Sequence, residues 1–296
     1  MSVQSGDVIG GRYRLVEPIA RGGQAEVWVA RQDPFEQRVA VKILIPKCGV
    51  LGVQRMHREA QVLAGLNHSS IVRLIDFGVL PKGSCFIAME FIEGCRMKVL
   101  LRERRHSPAA LLRLCEQVCS GLEAAHRLGV IHRDIKLSNV LIHRRSGVRE
   151  QARVVDFGIA RLMEGDPGLT SDGVVLGSPR FMAPEQIRGE ALDARIDIYA
   201  VGVLLFCCLA GRYPYSGRTA HEIMHRHLYG PLPRLHVSAS LPDPEGLAAV
   251  VRQAMARSPE DRFETMGALR AALQRHLPTS SGCDAVGGHR RRTVGG

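Results

Sequence analysis

The chain has 296 residues, of which 45% are hydrophobic and 23% are charged. This composition is that of a soluble, folded protein with about two domains' worth of chain, and it excludes a small disulfide-rich peptide, a fibrous repeat and a disordered polypeptide. The formal net charge is +11. Because the cations are spread along the whole chain rather than gathered in one stripe, nucleic acid is not expected as the main partner.

Three further features predict a cytoplasmic protein without a membrane anchor. The eight cysteines include no Cys-x-x-Cys pair, so a reducing compartment is expected and a zinc site is not. The stretch from Met1 to Asp7 lacks the basic and apolar regions of a secretory signal. The longest apolar run, Ile198 to Ala210, is shorter than the ~20 residues that span a bilayer, and it predicts a buried helix.

The first part of the chain is predicted to be mainly β-structure. Apolar residues alternate along 38–45, which places Ala40, Lys42 and Leu44 on one face of a strand. Residues 54–66 have helical spacing, and another strand is predicted over 71–75.

The second part is predicted to be mainly helical. A 3.6-residue apolar period runs along 108–128, and two short strands are predicted near 139–142 and 153–155. The fold class is therefore α+β and bilobal, with a β-rich N-lobe (13–90) and a larger, mainly helical C-lobe (94–276). Residues 1–12 are expected to form an N-terminal extension, and 277–296 a short, basic, disordered tail.

A glycine-containing turn from Ile19 to Val27 lies between two predicted strands. Glycine lets backbone N–H groups approach phosphate oxygens closely. On the next strand, Lys42 would need an anionic partner in an apolar pocket, and a phosphate would supply one. Glu59, on the following helix, would orient Lys42. Taken alone, such a turn is more often an ordinary hairpin, and such a glutamate is more often a surface charge.

The run from Ile131 to Asn139 is more specific. It places Asp134, Lys136 and Asn139 in one loop with apolar flanks. An aspartate can accept a hydroxyl proton, a lysine can offset phosphate charge, and an amide oxygen can bind Mg²⁺. Asp156, at the end of a predicted strand, adds a second carboxylate. These groups are suited to phosphoryl transfer.

Together these motifs resemble those of eukaryotic-type protein kinases and are most similar to the bacterial serine/threonine kinases. The resemblance covers about 13–276 and implies the bilobal kinase fold. Its motifs, in chain order, are the glycine loop, Val39-Ala-Val-Lys42, Glu59, His132-Arg-Asp134, Asp156-Phe-Gly158 and Ala183-Pro-Glu185.

The resemblance implies a serine/threonine protein kinase that uses ATP and Mg²⁺. Asp134 would be the catalytic base, Lys136 a γ-phosphate contact, and Asn139 and Asp156 the metal ligands. The residues implied at the ATP site are Ile19, Ala20, Arg21, Gly22, Gly23, Gln24, Ala25, Glu26, Val27, Ala40, Lys42, Glu59, Met89, Glu90 and Ile92.

Phosphorylation sites and structural residues are implied in the same way. Thr170 and Ser171 are the expected autophosphorylation sites, and Ser178 ranks lower because it matches a substrate-facing threonine. Proteins with serine or threonine hydroxyls are the expected partners besides ATP, and a homodimer for trans-autophosphorylation is left open. The residues with implied structural roles are Arg133, which would pair with an activation-loop phosphate, Glu185 with Arg262 as a buried ion pair, and Asp197 as an anchor of the catalytic loop.

The glycine loop departs from the G-x-G-x-x-G pattern of the family. Only the middle glycine, Gly22, is present, because Ala20 and Ala25 occupy the outer positions. The added methyl groups are expected to weaken nucleotide binding. A nucleotide-binding pseudokinase scaffold is therefore the first alternative, although every residue assigned to proton, phosphate or metal handling is retained.

A small-molecule phosphotransferase is the second alternative, since it would share the bilobal layout and the aspartate base. The Ala183-Pro-Glu185 segment and Ser178 argue against it, because the family uses them to hold a polypeptide substrate.

Overall fold

The computed structural model describes residues 3–22, 25–44, 60, 62–80, 83–104, 106–143, 149–157 and 178–278. The part before residue 91 contains a six-stranded sheet, and the part after residue 93 is mainly helical with a small three-stranded sheet. The two-lobed α+β fold predicted from the sequence is confirmed. From residue 279 onward, the predicted tail lies outside the described residues.

The N-lobe sheet consists of β1 (Val8–Ile9), β2 (Tyr13–Arg21), β3 (Ala25–Gln32), β4 (Gln37–Leu44), β5 (Leu74–Val79) and β6 (Cys85–Glu90). The strands pair in the order β1-β2-β3-β4-β6-β5, and all neighbours are antiparallel. The segment expected as an N-terminal extension contributes β1 to this sheet, and its Val3 and Ile9 are buried in the core of the lobe.

Strand β4 separates the core of the N-lobe from the cleft between the lobes. Its Val39, Val41 and Ile43 pack in the core that contains Trp28. The intervening Lys42 lines the cleft. The alternation predicted over 38–45 is therefore present. Because successive side chains of a strand point to opposite faces, Lys42 points away from the core and toward the other lobe.

The segment ahead of β5 differs from the prediction. The sequence predicts a strand from Ile71, but β5 begins at Leu74. Ile71 forms an isolated bridge with Val154, and the Val72 N–H donates to the Val154 carbonyl at 3.0 Å. The backbone groups of 71–72 therefore join the two lobes instead of extending the N-lobe sheet.

The C-lobe contains β7 (Gly94–Arg96), α1 (Met97–Glu103), α2 (Pro108–Arg127), β8 (Val140–His143), β9 (Gln151–Val154), α3 (Pro184–Arg188), α4 (Arg195–Ala210), α5 (Ala220–Tyr229), α6 (Pro244–Ala254) and α7 (Met266–Gln274). Strands β7, β8 and β9 form an antiparallel sheet in that order. Two single 3₁₀ turns precede β8 and α3, at Leu137–Asn139 and Pro179–Phe181.

Helices α2 and α4 form the centre of the C-lobe. Helix α2 begins where Ser107 Oγ accepts the Ala110 N–H at 3.2 Å and Pro108 takes the first helical position. Helix α4 is buried along 196–208, because α2, α6 and α7 pack around it. The predicted buried helix is confirmed. Among the residues described, no helix has the length and apolar character needed to cross a bilayer.

A buried ion pair joins α3 to the segment before α7. The two guanidinium nitrogens of Arg262 donate to the two carboxylate oxygens of Glu185 at 2.6 and 2.7 Å. Arg262 also donates to three backbone carbonyls, those of 195, 256 and 257. Both side chains are almost fully buried, so each depends on the other for neutralisation.

We expect Glu185→Gln to lower the free energy of unfolding by about 3–5 kcal/mol, because it leaves the Arg262 charge buried and unpaired. Denaturant unfolding followed by circular dichroism measures the loss. The matched control is Glu190→Gln, which removes an exposed pair with Arg188 and should cost less than about 1 kcal/mol. Equal losses in the two variants would contradict a stabilising role for the buried pair.

A buried histidine lies between α4 and α5. The Tyr199 hydroxyl forms a hydrogen bond with His227 Nδ1 at 2.7 Å, and the centroid of the Tyr215 ring lies 4.7 Å from that of the imidazole. Burial lowers the pKa of His227 from 6.5 to about 4. Between these values the unfolded chain binds a proton that the folded chain does not, so acid weakens folding in this range.

We expect the free energy of unfolding to fall between pH 6.5 and pH 4, with His227 contributing about 3 kcal/mol of the loss. His227→Gln should remove that part of the pH dependence. His221→Gln, on the exposed side of the same helix, should leave it unchanged. Urea unfolding at a series of pH values compares the three proteins, and parallel curves for the parent and His227→Gln would rule out this role.

Candidate active site

The catalytic loop runs from the end of α2 to β8 and is built around His132, which is fully buried. His132 Nδ1 accepts the Asp134 N–H at 3.2 Å, and Nε2 donates to the Val155 carbonyl at 2.9 Å. Because one ring nitrogen accepts and the other donates, the imidazole is neutral. Burial lowers the pKa of His132, which agrees with that state. The ring therefore links the loop to the end of β9.

Asp197, in the first turn of α4, fixes the backbone of the same loop. Its two carboxylate oxygens accept the N–H groups of His132 at 2.8 Å and Arg133 at 3.0 Å, and His126 Nε2 contacts it at 2.8 Å. Burial alone would raise the pKa of Asp197, but the hydrogen bond and charge of His126 outweigh it, and the pKa lies below its usual value. The anchor is an ionised carboxylate.

The loop needs this anchor because its backbone is strained. Arg133 has a φ of +64°, a left-handed conformation that costs a non-glycine residue about 1–2 kcal/mol. Gln186 Nε2 also reaches the Arg133 carbonyl, at 3.4 Å. These contacts keep Arg133 turned so that the next residue faces the cleft.

Asp134 lies at the floor of the cleft with two donors on one oxygen. Lys136 Nζ contacts Asp134 Oδ2 at 2.6 Å, and Asn139 Nδ2 donates to the same atom at 3.2 Å and to the Asp134 carbonyl at 2.9 Å. The carboxylate and Lys136 are each about one-fifth exposed. A carboxylate fixed in this way can accept a proton from a hydroxyl that enters the cleft.

Lys42 of β4 meets Asp156 across the cleft. Their side chains form an ion pair with Nζ 2.7 Å from Oδ1. Asp156 has a φ of +60°, so the chain turns sharply after β9 and presents this carboxylate to the cleft. The ring of the next residue, Phe157, packs 4.6 Å from His132. Burial opposes ionisation of Asp156, but the charge and hydrogen bond of Lys42 lower its pKa overall.

Asn139 and Asp156 are suited to hold Mg²⁺. The Val155 N–H donates to the Asn139 carbonyl at 2.9 Å, so Asn139, just before β8, lies beside the turn after β9 that contains Asp156. The Asn139 nitrogen is used by Asp134, so its amide oxygen is the atom that can bind a metal. No group of three or more acidic, histidine or cysteine side chains in the described chain forms a closed metal site. Two oxygen ligands suit Mg²⁺, which keeps waters and phosphates as its other ligands.

The glycine loop is described on both sides of its tip. Ala20 pairs with Val27, directly after a register shift in the antiparallel β2–β3 ladder, and Ala25 pairs with Leu44 in the β3–β4 ladder. The Gly22 N–H donates to the Ala25 carbonyl at 2.9 Å and closes the turn. Neither alanine has a positive φ. The methyl groups therefore cause no backbone strain at these two positions.

The remaining loop residues lie around this turn. Glu26 accepts the Trp28 indole N–H at 3.1 Å, and Arg21 lies 4.0 Å from the same carboxylate. Ile19 is 44% exposed, near the end of β2. Gly23 and Gln24 lie outside the described residues.

The back of the cleft is apolar and leads to the hinge. A cavity of about 40 Å³ is lined by Lys42, Met89 and Asp156 together with aliphatic side chains of both lobes. Ala40 pairs with Met89 on the neighbouring strand. Glu90 ends β6, and its N–H donates to the carbonyl of residue 73 at 2.9 Å. Ile92 follows in the extended segment between the lobes.

Several predicted sites lie outside the described residues. These include Glu59, so its pairing with Lys42 stays a prediction, and the expected phosphorylation sites Thr170 and Ser171. Ser178 is described, and it lines one small cavity with Arg133 and Asp134.

Sequence reasoning missed three residues that support the site. His126 and Gln186 contact the loop anchor and the loop itself. Arg153 spans the lobes, because it donates to the carbonyl of residue 71 at 3.1 Å and lies 3.3 Å from the Glu90 carboxylate. The only sequence signal for the contact between His126 and Asp197 is a weak one, a histidine six residues before His132. Nothing in the sequence around Arg153 indicates that it contacts the hinge.

Comparison with known proteins agrees with this geometry. Residues 13–272 match the protein kinase domain family. The chain belongs to this family. It is 36% identical to the serine/threonine-protein kinase pkn2 of Myxococcus xanthus over 90% of its own length, and 35% identical to the serine/threonine-protein kinase PknD of Mycobacterium tuberculosis over 91%. These alignments span only 33% and 40% of the two relatives, so the chain corresponds to a part of each.

The crystal structure of the Mycobacterium tuberculosis PknI kinase domain (C20A mutant) has a similar fold. It superposes with a TM-score of 0.71 at 26% identity, and the match covers 93% of this kinase chain and 99% of the PknI domain. The bilobal protein kinase fold is therefore shared over nearly the whole chain.

We expect Asp197→Ala to loosen the catalytic loop of this kinase, because two buried N–H groups lose their acceptor at about 1–3 kcal/mol each. Hydrogen–deuterium exchange should rise at least about tenfold over 131–137, which corresponds to 1.4 kcal/mol or more of local opening. Asp193→Ala, which removes an exposed carboxylate just before the same helix, serves as the control. Unchanged exchange of the loop in Asp197→Ala would show that another contact holds it.

Proposed function

We propose that this chain is a serine/threonine protein kinase that transfers the γ-phosphate of ATP to protein hydroxyls and phosphorylates its own activation loop. The observation that carries the proposal is the convergence of Lys42, Asp134, Asn139 and Asp156 in one cleft, with the contacts given above. The protein kinase family generally uses ATP and Mg²⁺, and the oxygen ligands of this cleft suit that metal.

Each of these residues has a distinct part in the proposed reaction. The hydroxyl oxygen of the substrate attacks the γ-phosphorus, the bond to the β-phosphate oxygen breaks, and ADP leaves. Asp134 accepts the hydroxyl proton, and Lys136, which is already in contact with it, offsets charge on the transferred group. Lys42 binds the α- and β-phosphates. Magnesium, held by Asn139 and Asp156, would neutralise phosphate charge.

The remaining cleft residues would bind the nucleotide. The turn around Gly22 would cover the phosphates, Ala40 and Met89 would contact the adenine, and the hinge backbone at Glu90 and Ile92 would bind its edge. Arg133 would pair with a phosphate on Thr170 or Ser171.

The type of substrate follows from the surroundings of the base. Ser178 and the 3₁₀ turn after it form one wall beside Asp134. The family uses this segment to hold a polypeptide substrate, which argues for a protein substrate over a small molecule. The cytoplasm is the proposed location, since ATP and reducing conditions are both present there and buried cysteines such as Cys115 and Cys208 are free thiols.

The scaffold alternative rests on Ala20 and Ala25. Ala20 pairs with Val27 just after a register shift in the β2–β3 ladder, and Ala25 pairs with Leu44; neither has a positive φ, and the turn around Gly22 is closed. This geometry favours nucleotide binding, which the kinase and the scaffold share. The retained Asp134, Asn139 and Asp156 favour the kinase.

Intact-mass measurement with ATP and Mg²⁺ tests the proposal. We expect the parent protein to gain steps of about 80 Da, the mass of one phosphoryl group. Asp134→Asn should lower the rate about 10²–10⁴-fold, because the proton acceptor is lost. Asp261→Asn, an exposed site outside the cleft, should behave like the parent.

A thermal shift assay with ATP separates the alternatives. If ATP raises the melting temperature but neither autophosphorylation nor phosphorylation of casein or myelin basic protein occurs, the result favours the scaffold function or a kinase that needs an upstream activator. Mapping the phosphates then assigns or excludes Thr170, Ser171 and Ser178.

A further inference from the structure

A groove of about 430 Å³ opens beside the catalytic loop and shares no lining residue with the apolar cavity at the back of the cleft. One wall is formed by the loop residues Lys136 to Ser138 and by the first turn of α1. The opposite wall is formed by the segment 178–181 and by the start of α5. Because Lys136 contacts Asp134 at 2.6 Å, the groove begins at the catalytic base. A protein segment whose hydroxyl reaches Asp134 would lie along it.

The groove is positively charged. Four of its lining residues are cations and none is acidic: Lys98, Lys136, Arg180 and Arg218. Lys136 forms an ion pair with Asp134, so its charge is neutralised. Within the described residues, none of the other three pairs with a carboxylate. The excess charge of the groove is thus local and does not simply follow from the basic composition of the chain.

The nearest acidic side chain on the α5 wall is already bonded. Glu222 accepts the Arg218 N–H at 2.8 Å and forms an ion pair with Arg226, also at 2.8 Å. Because the Glu222 carboxylate is used in these two contacts, the Arg218 guanidinium has no carboxylate partner among the described residues. The N-terminus of α5, which is a ten-residue helix capped by Thr219, adds its positive end to the same wall.

One cation of the groove is held in place before any substrate binds. The Arg180 guanidinium lies over the Tyr213 ring, 4.5 Å from its centroid, and Phe181 packs edge-on against the same ring at 6.0 Å. An arginine restrained by stacking loses less side-chain freedom when it binds an anion, and its planar group suits carboxylate and phosphate equally.

From these features we infer that the groove selects protein substrates with an anionic side chain, a carboxylate or a phosphate, within about four residues of the phosphorylated hydroxyl. The inference rests on the proposed kinase function and deepens it by naming the substrate class. Lys98, Arg180 and Arg218 are the specificity-determining residues. They act by binding the anion, while Asp134 and Lys136 act on the transferred group.

Peptide pairs test the inference. A nine-residue peptide with one central serine is scanned with glutamate, glutamine or phosphoserine at each other position. We expect kcat/KM to rise about five- to tenfold for glutamate over glutamine at one or two adjacent positions, and at least as much for phosphoserine. Equal values for all three residues at every position would overturn the inference. A gain for phosphoserine alone would identify phosphate as the anion.

A matched pair of double variants separates the groove from the overall charge. Lys98→Gln with Arg218→Gln removes two charges inside the groove, and Arg234→Gln with Arg252→Gln removes two exposed charges elsewhere. The glutamate-to-glutamine ratio should fall to about twofold or less in the first variant and stay at the parent value in the second. An equal fall in both would mean that net charge, and not the groove, attracts acidic peptides.

Binding of the same peptides, labelled with fluorescein and followed by anisotropy, does not depend on catalysis. If the parent binds the glutamate peptide more tightly than the glutamine peptide but phosphorylates neither the peptides nor its own chain, the kinase proposal fails and the groove assignment holds. If phosphorylation occurs without any preference in binding or rate, the groove assignment fails and the kinase proposal holds.

Discussion

The buried carboxylate of Asp197 determines the shape of the catalytic loop. A loop has no neighbouring strand or helical turn to accept its N–H groups, and those of His132 and Arg133 point into the C-lobe, where water cannot reach them. Asp197 accepts both. It can do so as an ion because His126 contacts it and because it lies in the first turn of α4, where the positive end of the helix favours a carboxylate. The position of Asp134 depends on this anchor.

The geometry of the cleft depends on a second feature, the β8–β9 hairpin of the C-lobe, whose last residue is bonded to the segment ahead of β5. Strand β9 pairs with β8 in the C-lobe, and its last residue, Val154, exchanges hydrogen bonds with residues 70 and 72 ahead of β5. The turn after Val154 carries Asp156, which reaches Lys42 on the N-lobe. Arg153 adds a side-chain contact to the hinge at Glu90. The relative placement of the lobes and the placement of Asp156, a proposed metal ligand, are therefore set by the same few residues.

The glycine loop departs from the family pattern at two positions that do not require glycine. Ala20 and Ala25 replace glycines but lie in the paired parts of β2 and β3, where an alanine methyl is tolerated because φ is negative. Positive φ occurs instead at Arg133 and Asp156, which are not glycine. Three other non-glycine residues with positive φ, Glu36, Arg104 and Asp243, lie elsewhere, but the loop and the turn that position the reacting groups each contain one, held by a hydrogen bond or an ion pair.

The fold class, the alternation of β4, the buried helix α4 and the family could all be predicted from the chain alone, because hydrophobic periodicity and motif order can be read along the sequence. Folding was needed to show that Ile71 bridges to Val154, that His126 and Arg153 support the site, and that Lys98, Arg180 and Arg218 share one groove. These residues are far apart in the chain, and their types are common on any surface. What unites them is the packing of elements that no local pattern encodes.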